Sequence, residues 1–434
     1  MIAVVNTSPG DHANSARLAP LLANINDHQH ARRRMVAAVA VNTSTRSTAL
    51  TVALCFCVAI AEGFDIQAIG VAAPRLGPDL KLSAEALGWV FAMGNIGLVI
   101  GATVGGWLAD RIGRKPVFVG AVLLFGVFTF ATAFSSTFAA LVSVRFLAGL
   151  HLGAAFPIMM AMATEVSAAE RRTQTATAMF CGMPLGGGVA ALFTQWFAGL
   201  DWRLLFYVGG AVPILLTILL YRSMPETLRR DGRAERGLQN AWQTLFGEGR
   251  APATLLLWIV FLPTLLILYL ILNWLPTLVA AKGVGRAAAP LASLSFNFTS
   301  VAGALLIGWL VDRFKLRWPL TLAYAGLAIA LVALSRSSTL AEMLVLSGAA
   351  GFCVLGANFA LYGLAPTYYS PETRGMGSGA SIAIGRLGSI AGPLLAGLLL
   401  GGGISASGVV AYLVPMAVIA GAGAFVLSFC RRPY

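Results

Sequence analysis

Gly106-Trp107-Leu108-Ala109-Asp110-Arg111-Ile112 and Gly308-Trp309-Leu310-Val311-Asp312-Arg313-Phe314 are one phrase written twice, each closing a long apolar run. Gly182 and Ser167 recur nearly in step as Gly385 and Ser370. Such self-similarity marks two copies of one structural unit. Between them lies a charged stretch holding Arg229, Arg230, Asp231, Arg233, Glu235 and Arg236. Outward from the paired phrases, apolar runs of about 20 residues, each long enough to cross a bilayer, fall at 48–72, 87–109, 115–134, 138–164, 173–198, 203–222, 253–281, 288–312, 317–335, 338–366, 373–399 and 404–430. The chain therefore divides into a polar tail (1–47), a six-span unit (48–222), a linker (223–252) and a second six-span unit (253–434).

Composition supports the same reading. Of 434 residues, 58% are hydrophobic and 11% charged, whereas a soluble domain carries roughly 25% charged residues. A water-soluble globular protein is excluded. The runs lack the period-two alternation of a membrane barrel, so the fold expected is an all-α membrane protein of twelve transmembrane helices. A formal charge of +13 would suggest nucleic acid in a soluble protein, but here the basic residues sit between spans and set topology. Most lie on the N-terminal side; the other side has only Arg75, Lys81, Arg203, Lys282, Arg286 and Arg336. The positive-inside rule then puts both termini in the cytoplasm, with residues 1–47 a disordered cytoplasmic tail. Met35, directly after Arg32, Arg33 and Arg34, is an alternative translation start. The five cysteines lie in apolar runs without disulfide or metal-ligand spacing, and no nucleotide-binding loop or nucleophile triad stands out. No cofactor and no enzymatic role are expected, and the two-unit plan argues against a channel.

The phrase at the end of span 2 continues as Gly106-x-x-x-Asp110-Arg111-x-Gly113-Arg114-Lys115. Small residues let helices approach closely, and an acid at a helix end can engage a neighbour's cation or helix N-terminus in one conformation only. This pattern resembles the loop 2–3 signature of the major facilitator superfamily, with the partial copy at Gly308, Asp312 and Arg313 standing where that family repeats it. The resemblance covers the whole twelve-span plan and implies a rocking two-bundle transporter in which Gly106, Asp110, Arg111, Gly113, Arg114, Lys115, Asp312 and Arg313 form a conformational gate.

Charge within a span is expensive and marks function by default. Glu62 and Asp65 lie in span 1, Arg145 in span 4 and Arg386 in span 11, a set whose formal charge sums to zero. The depths of Asp65 and Arg145 are matched, so the two are expected to pair. Glu62 and Asp65, at i and i+3, share a helical face, and two carboxyls so close disfavour double ionisation, which suits a proton carrier.

Glu62-Gly63-Phe64-Asp65 resembles the acid-Gly-x-acid motif of the aromatic acid:proton symporter family, with Glu62 where Asp is usual. Asn273-Trp274-Leu275-Pro276, Gly385-Arg386-Leu387-Gly388 and Gly392-Pro393-Leu394-Leu395-Ala396-Gly397 are most similar to its hydroxyphenylpropionate transporter branch. The resemblance implies uptake of an aromatic carboxylate with protons across a bacterial inner membrane, by a protein expected to be monomeric. Glu62 and Asp65 would then couple protons, and Arg386, with Arg145 nearby, would hold the substrate carboxylate, since a guanidinium in low dielectric binds such a group bidentately. Met183 occupies the repeat position of Arg386, so that cation belongs to one half. Tyr269 with Asn273, and Asn358 with Tyr362, are i, i+4 pairs able to bind a ring hydroxyl or, equally, to bond neighbouring helices. Phe64, Trp274 or Phe359 would pack the ring, and His151 reads as a packed neutral histidine. A drug or metabolite:proton antiporter of the same superfamily is the alternative.

Overall fold

The computed structural model describes residues 48–197, 199–224, 241–247, 249–314, 317–371 and 373–430. Twelve helices are long and apolar enough to span a bilayer: α1 (Thr48–Asp79), α2 (Ala84–Ile112), α3 (Arg114–Thr132), α4 (Phe138–Val166), α5 (Arg172–Trp196), α6 (Arg203–Ser223), α7 (Ala251–Ala281), α8 (Pro290–Arg313), α9 (Arg317–Arg336), α10 (Leu340–Leu364), α11 (Arg374–Gly401) and α12 (Ala406–Leu427). In lipid the backbone must satisfy its own polar groups, which leaves helices as the solution for such runs. The starts are chemically marked. Ser83, Thr137, Thr339 and Ser405 cap α2, α4, α10 and α12 through their hydroxyls, Thr339 within a reciprocal box with Glu342.

One boundary differs markedly from expectation. The first span was expected to end at 72, before Pro74, yet α1 runs on to Asp79. Leu76 is fully buried there, and one missing backbone donor is a smaller cost than withdrawing that side chain. Of the linker, residues 225–240 lie outside the described residues, as do the tail 1–47 and residues 431–434. A short helix, Ala241–Phe246, precedes α7.

The repeat seen in the sequence is visible in the packing. In the first half α2 packs on α4, and α3 on α4 and α6; in the second, α8 packs on α10, and α9 on α10 and α12. The crossings use glycine in equivalent places. Gly101 lies against the Leu150 backbone and Gly149 against Gly94 on α2 and α4, while Gly303 lies against Phe352 and Gly351 against Phe296 on α8 and α10. Without an apolar driving force between helices in lipid, close backbone approach is a main source of association.

The halves meet through α2 with α11 and α5 with α8. On the side opposite the N-terminus this seam is sealed. Gly88 abuts Pro393 and Gly397, Asn95 Nδ2 donates to the Ser389 carbonyl at 3.1 Å, and Phe91 meets Trp274 edge to face at 5.2 Å. Just past α7 on that side, Lys282 donates to the Leu334 and Ser335 carbonyls at 2.6 and 3.2 Å. Burial holds its ammonium below the usual lysine range, against the opposing pull of Glu342. The signature glycines behave otherwise than expected: a Cβ at Gly106 or Gly308 would meet no heavy atom within 4 Å. They lie at the N-terminal-side ends of α2 and α8, away from the seal, and make no close crossing in this form.

Two substitutions separate these glycine classes. Gly101→Val should drive a branched side chain into the Leu150 carbonyl and abolish monodisperse protein on size-exclusion chromatography in detergent. Gly106→Ala should leave that profile unchanged.

Candidate functional site

Between the halves lies a cavity of about 570 Å³ that reaches from mid-span toward the N-terminal side. Its walls are mostly apolar, with Leu98, Leu152, Leu268, Phe296 and Leu355 among them, and a few polar groups converge on it: Glu62, Gln67, Tyr269, Asn297, Asn358, Tyr362 and Arg386. An apolar chamber with few polar groups is the usual form of a small-molecule site. Toward the N-terminal side it is bounded by stacked rings. Phe180 of α5 lies 5.2 Å from Phe359 and 5.9 Å from Tyr362, both on α10 of the other half.

The two acids of α1 have different surroundings. Asp65 accepts from Arg145 Nη1 at 3.0 Å and Nη2 at 3.1 Å, and from the Thr129 hydroxyl at 2.6 Å. This is the pairing expected from their depths, and both side chains are buried. The pair borders a separate cleft of about 20 Å³ and does not line the large cavity. Glu62 is fully buried, lines the large cavity, and neither carboxyl oxygen has a hydrogen-bond partner among the described residues. The cause is helical phase, since positions i and i+3 lie about 60° short of a full turn. One acid therefore turns to the α3/α4 side while the other turns to the interface.

Arg386 lines the cavity and donates from Nη1 to the Tyr269 hydroxyl at 2.8 Å. It joins no ion pair among the described residues. Tyr362 and Asn358 share the chamber, and Asn358 Oδ1 has no partner. Five expectations are corrected. Asp65 does not share the chamber with Glu62 as one acid pair, being held by Arg145 and Thr129. Arg145 is committed to Asp65 and stands away from the chamber. Asn273 is away from it too: its Nδ2 donates to the Tyr269 carbonyl at 2.7 Å, and Gly70 packs on its backbone. Trp274 is fully buried in the seal, donating to the Pro393 carbonyl at 3.0 Å, and Phe64 packs on Phe193. Of the three expected ring-packing residues, Phe359 alone lines the chamber. His151 contacts the Leu147 carbonyl through Nδ1 at 2.7 Å and stacks on Phe128.

Gln67 and Asn297 were not anticipated. Gln67 Nε2 donates to Asn297 Oδ1 at 2.7 Å, and Asn297 Nδ2 donates back to Gln67 Oε1 at 2.6 Å, joining α1 to α8 across the halves. Each is a polar residue in an apolar span, which is a readable signal; that they find each other across 230 residues is not.

The signature residues cluster at the N-terminal-side end of α2. Gly113 has φ 109°, a backbone state that favours glycine, and divides α2 from α3. Arg111 stacks on Trp107 at 4.0 Å, Lys115 lies over Tyr221 at 5.6 Å, and Arg114 pairs with Glu165 at the end of α4. Asp110 is exposed and joins no ion pair among the described residues. In the second half Arg313 lies over Trp309 at 5.9 Å. Asp312 closes the helix beside it, and its side chain lies outside the described residues.

Two pseudo-repeated bundles around a mid-membrane chamber, sealed on one side, define a membrane transporter rather than an enzyme. The chain belongs to the Major Facilitator Superfamily, whose family model matches residues 55–335 and 280–434. It is 39% identical to the 3-(3-hydroxy-phenyl)propionate transporter of Escherichia coli (strain K12), over 90% of this chain and 96% of that one. It is 34% identical to the 4-hydroxybenzoate transporter PcaK of Pseudomonas aeruginosa, over 85% and 90%, and 33% identical to the gallate transporter of Pseudomonas putida, over 82% and 86%. In fold it is similar to a bacterial homologue of the human lysosomal transporter Spinster, solved inward-facing and unoccupied (TM-score 0.72, 18% identity, 88% of this chain and 97% of that one). It is also similar to a mutant of the nucleoside transporter NupG (TM-score 0.69, 14% identity, 87% and 100%).

Breaking one member of a buried ion pair strands the other charge, at a cost of about 3–5 kcal/mol. Asp65→Asn and Arg145→Gln should each lower the melting temperature of the detergent-solubilised protein markedly, and the double variant should recover part of the loss.

Proposed function

We propose that the protein is a proton-coupled importer of an aromatic carboxylate, in the hydroxyphenylpropionate or benzoate class, working by alternating access in a bacterial inner membrane. Both termini face the cytoplasm. The carrying observation is the pair of unmatched charges in one chamber: among the described residues Glu62 has no hydrogen-bond partner and Arg386 no acid. Asp65 and Arg145 cancel each other and hold α1 to α4. The relatives' names, all of them aromatic acid carriers, support the substrate class.

The charge balance supplies the coupling. With the chamber unloaded, ionised Glu62 and Arg386 sum to zero. An anion entering alone leaves one net negative charge in low dielectric, and a proton on Glu62 alone leaves one net positive. Both are costly where desolvation is severe. Anion and proton together restore zero. Each ligand thus favours the other by the same free energy, and only the unloaded and doubly loaded forms rock readily. The substrate carboxylate sits on Arg386, fixed in direction by Tyr269, while Phe359, Phe296 and Leu268 receive the ring.

The described form is closed outward and bounded inward by the Phe180, Phe359 and Tyr362 rings. Asp110 with Arg111, Gly113, Arg114 and Lys115, and Asp312 with Arg313, act as the inner latch, open in this form. A cationic drug carried by an antiporter would have to lie beside the Arg386 guanidinium, which joins no ion pair among the described residues, so that position favours an anion.

Uptake of radiolabelled aromatic acids into cells or proteoliposomes tests this reading. Glu62→Gln should abolish accumulation against a gradient and remove its dependence on external pH, while substrate exchange across the membrane persists. Arg386→Ala should raise the half-saturating concentration at least tenfold with normal membrane insertion. Accumulation by Glu62→Gln at the wild-type level, or unchanged affinity in Arg386→Ala, would overturn the respective assignment.

A further inference from the structure

We propose that Gln67 and Asn297 recognise a hydroxyl group on the ring of the transported acid, making the protein selective for hydroxylated over unsubstituted aromatic acids. This deepens the reading above and rests on it.

The amides are 3% and 1% exposed, both line the chamber, and they bond each other reciprocally. Asn297 Nδ2 spends its second hydrogen on the Ser293 carbonyl at 2.7 Å. What remains is one hydrogen on Gln67 Nε2 and one lone pair on each amide oxygen. A phenolic hydroxyl offers one donor and one acceptor and matches that remainder; an unsubstituted ring edge matches none of it. The orientation is fixed from behind, because a Cβ at position 187 would collide with the Gln67 amide, and Gly187 leaves the room the amide fills.

Depth places this pair at the level of the anion site. The helices α1 and α7 run parallel and touch where Gly70 meets the Asn273 backbone. Gln67 lies three residues and Tyr269 four residues back from that contact, about 4.5 and 6 Å along their helices. The Arg386–Tyr269 group and the amide pair therefore stand at one level on different walls. A flat acid with its carboxylate on Arg386 can turn its far edge to the amides.

The pair also joins the halves. Opening the side opposite the N-terminus separates α1 from α8 and leaves both amides without their partner in an apolar chamber, which is costly. A hydroxyl that replaces the lost partner removes that cost, whereas a bare ring does not. A site built to hydrogen-bond a hydroxyl discriminates strongly against the analogue lacking it.

The test measures initial uptake rates at low concentration for 3-(3-hydroxyphenyl)propionate against 3-phenylpropionate, and for 4-hydroxybenzoate against benzoate. Wild type, Gln67→Met, Asn297→Ser and the swapped Gln67→Asn/Asn297→Gln protein are compared. The hydroxylated-to-unsubstituted ratio is internal to each preparation, so it does not depend on how much variant reaches the membrane. Wild type should favour the hydroxylated acids. Gln67→Met should lower the ratio by about tenfold, the value of one hydrogen bond; Asn297→Ser should lower it less, and the swap should restore part of it. A wild type indifferent to the hydroxyl, or variants that lose both substrates of a pair in parallel, would overturn the proposal and leave the amides as a seal alone. A wild type that moves no aromatic acid would instead overturn the reading on which the proposal rests.

Discussion

Placing a charge where water is scarce costs several kcal/mol unless another charge or a set of hydrogen bonds answers it. Four carboxylate or guanidinium side chains, Glu62, Asp65, Arg145 and Arg386, lie well within the spans, and the architecture treats them in two ways. Asp65 and Arg145 satisfy each other at 3.0 and 3.1 Å, with Thr129 as a third member, and so join α1, α3 and α4 into one body. Glu62 and Arg386 stand in different halves and are left to the chamber between them. The first pair makes a rigid bundle. The second pair lines one chamber at the seam of the two halves, where, on the proposed function, the net charge changes with what occupies it.

The fold was largely legible because its signals are additive. Each span is a long apolar run, each half carries the same glycine-aspartate-arginine phrase, and the packing of α2 on α4 recurs as α8 on α10. Asp65 beside Arg145 was legible from cost and depth, and Arg386 in the chamber from cost together with the family resemblance. Hidden from the sequence was the azimuth of each side chain. A difference of three residues on α1 separates a paired acid from a chamber acid, and α7 turns Tyr269 to the chamber but Asn273 and Trp274 to the seal. Such phases depend on how helices roll against one another. The Gln67–Asn297 pair was out of reach for a related reason, because its two members belong to different repeats and have no counterpart relation.

Glycine shows the same division between what is local and what is not. At Gly101, Gly149 and Gly303 the residue type reports a real crossing in this form. At Gly106 and Gly308, within the phrase that identifies the family, nothing approaches. In the proposed alternating cycle their crossing belongs to a form in which the N-terminal-side ends of α2 and α8 have moved inward. A motif that is silent in one conformation is what an alternating machine requires, since contacts satisfied in every state cannot bias the exchange between states.

The seal opposite the N-terminus contains a hydrogen bond to a carbonyl, an edge-to-face ring pair, a glycine crossing and a reciprocal amide pair, and none of these four contacts between the halves carries a full charge. The opposite rim carries Asp110, Arg111, Arg114 and Lys115 at or near water. Mobile ions screen the second kind of contact and leave the first untouched. In the proposed cycle the two gates are thus built in different electrostatic currencies, and the salt content of the compartment bathing the basic rim adjusts the closing of that gate alone. That cycle acquires a direction-dependent sensitivity to ionic conditions that neither bundle possesses by itself.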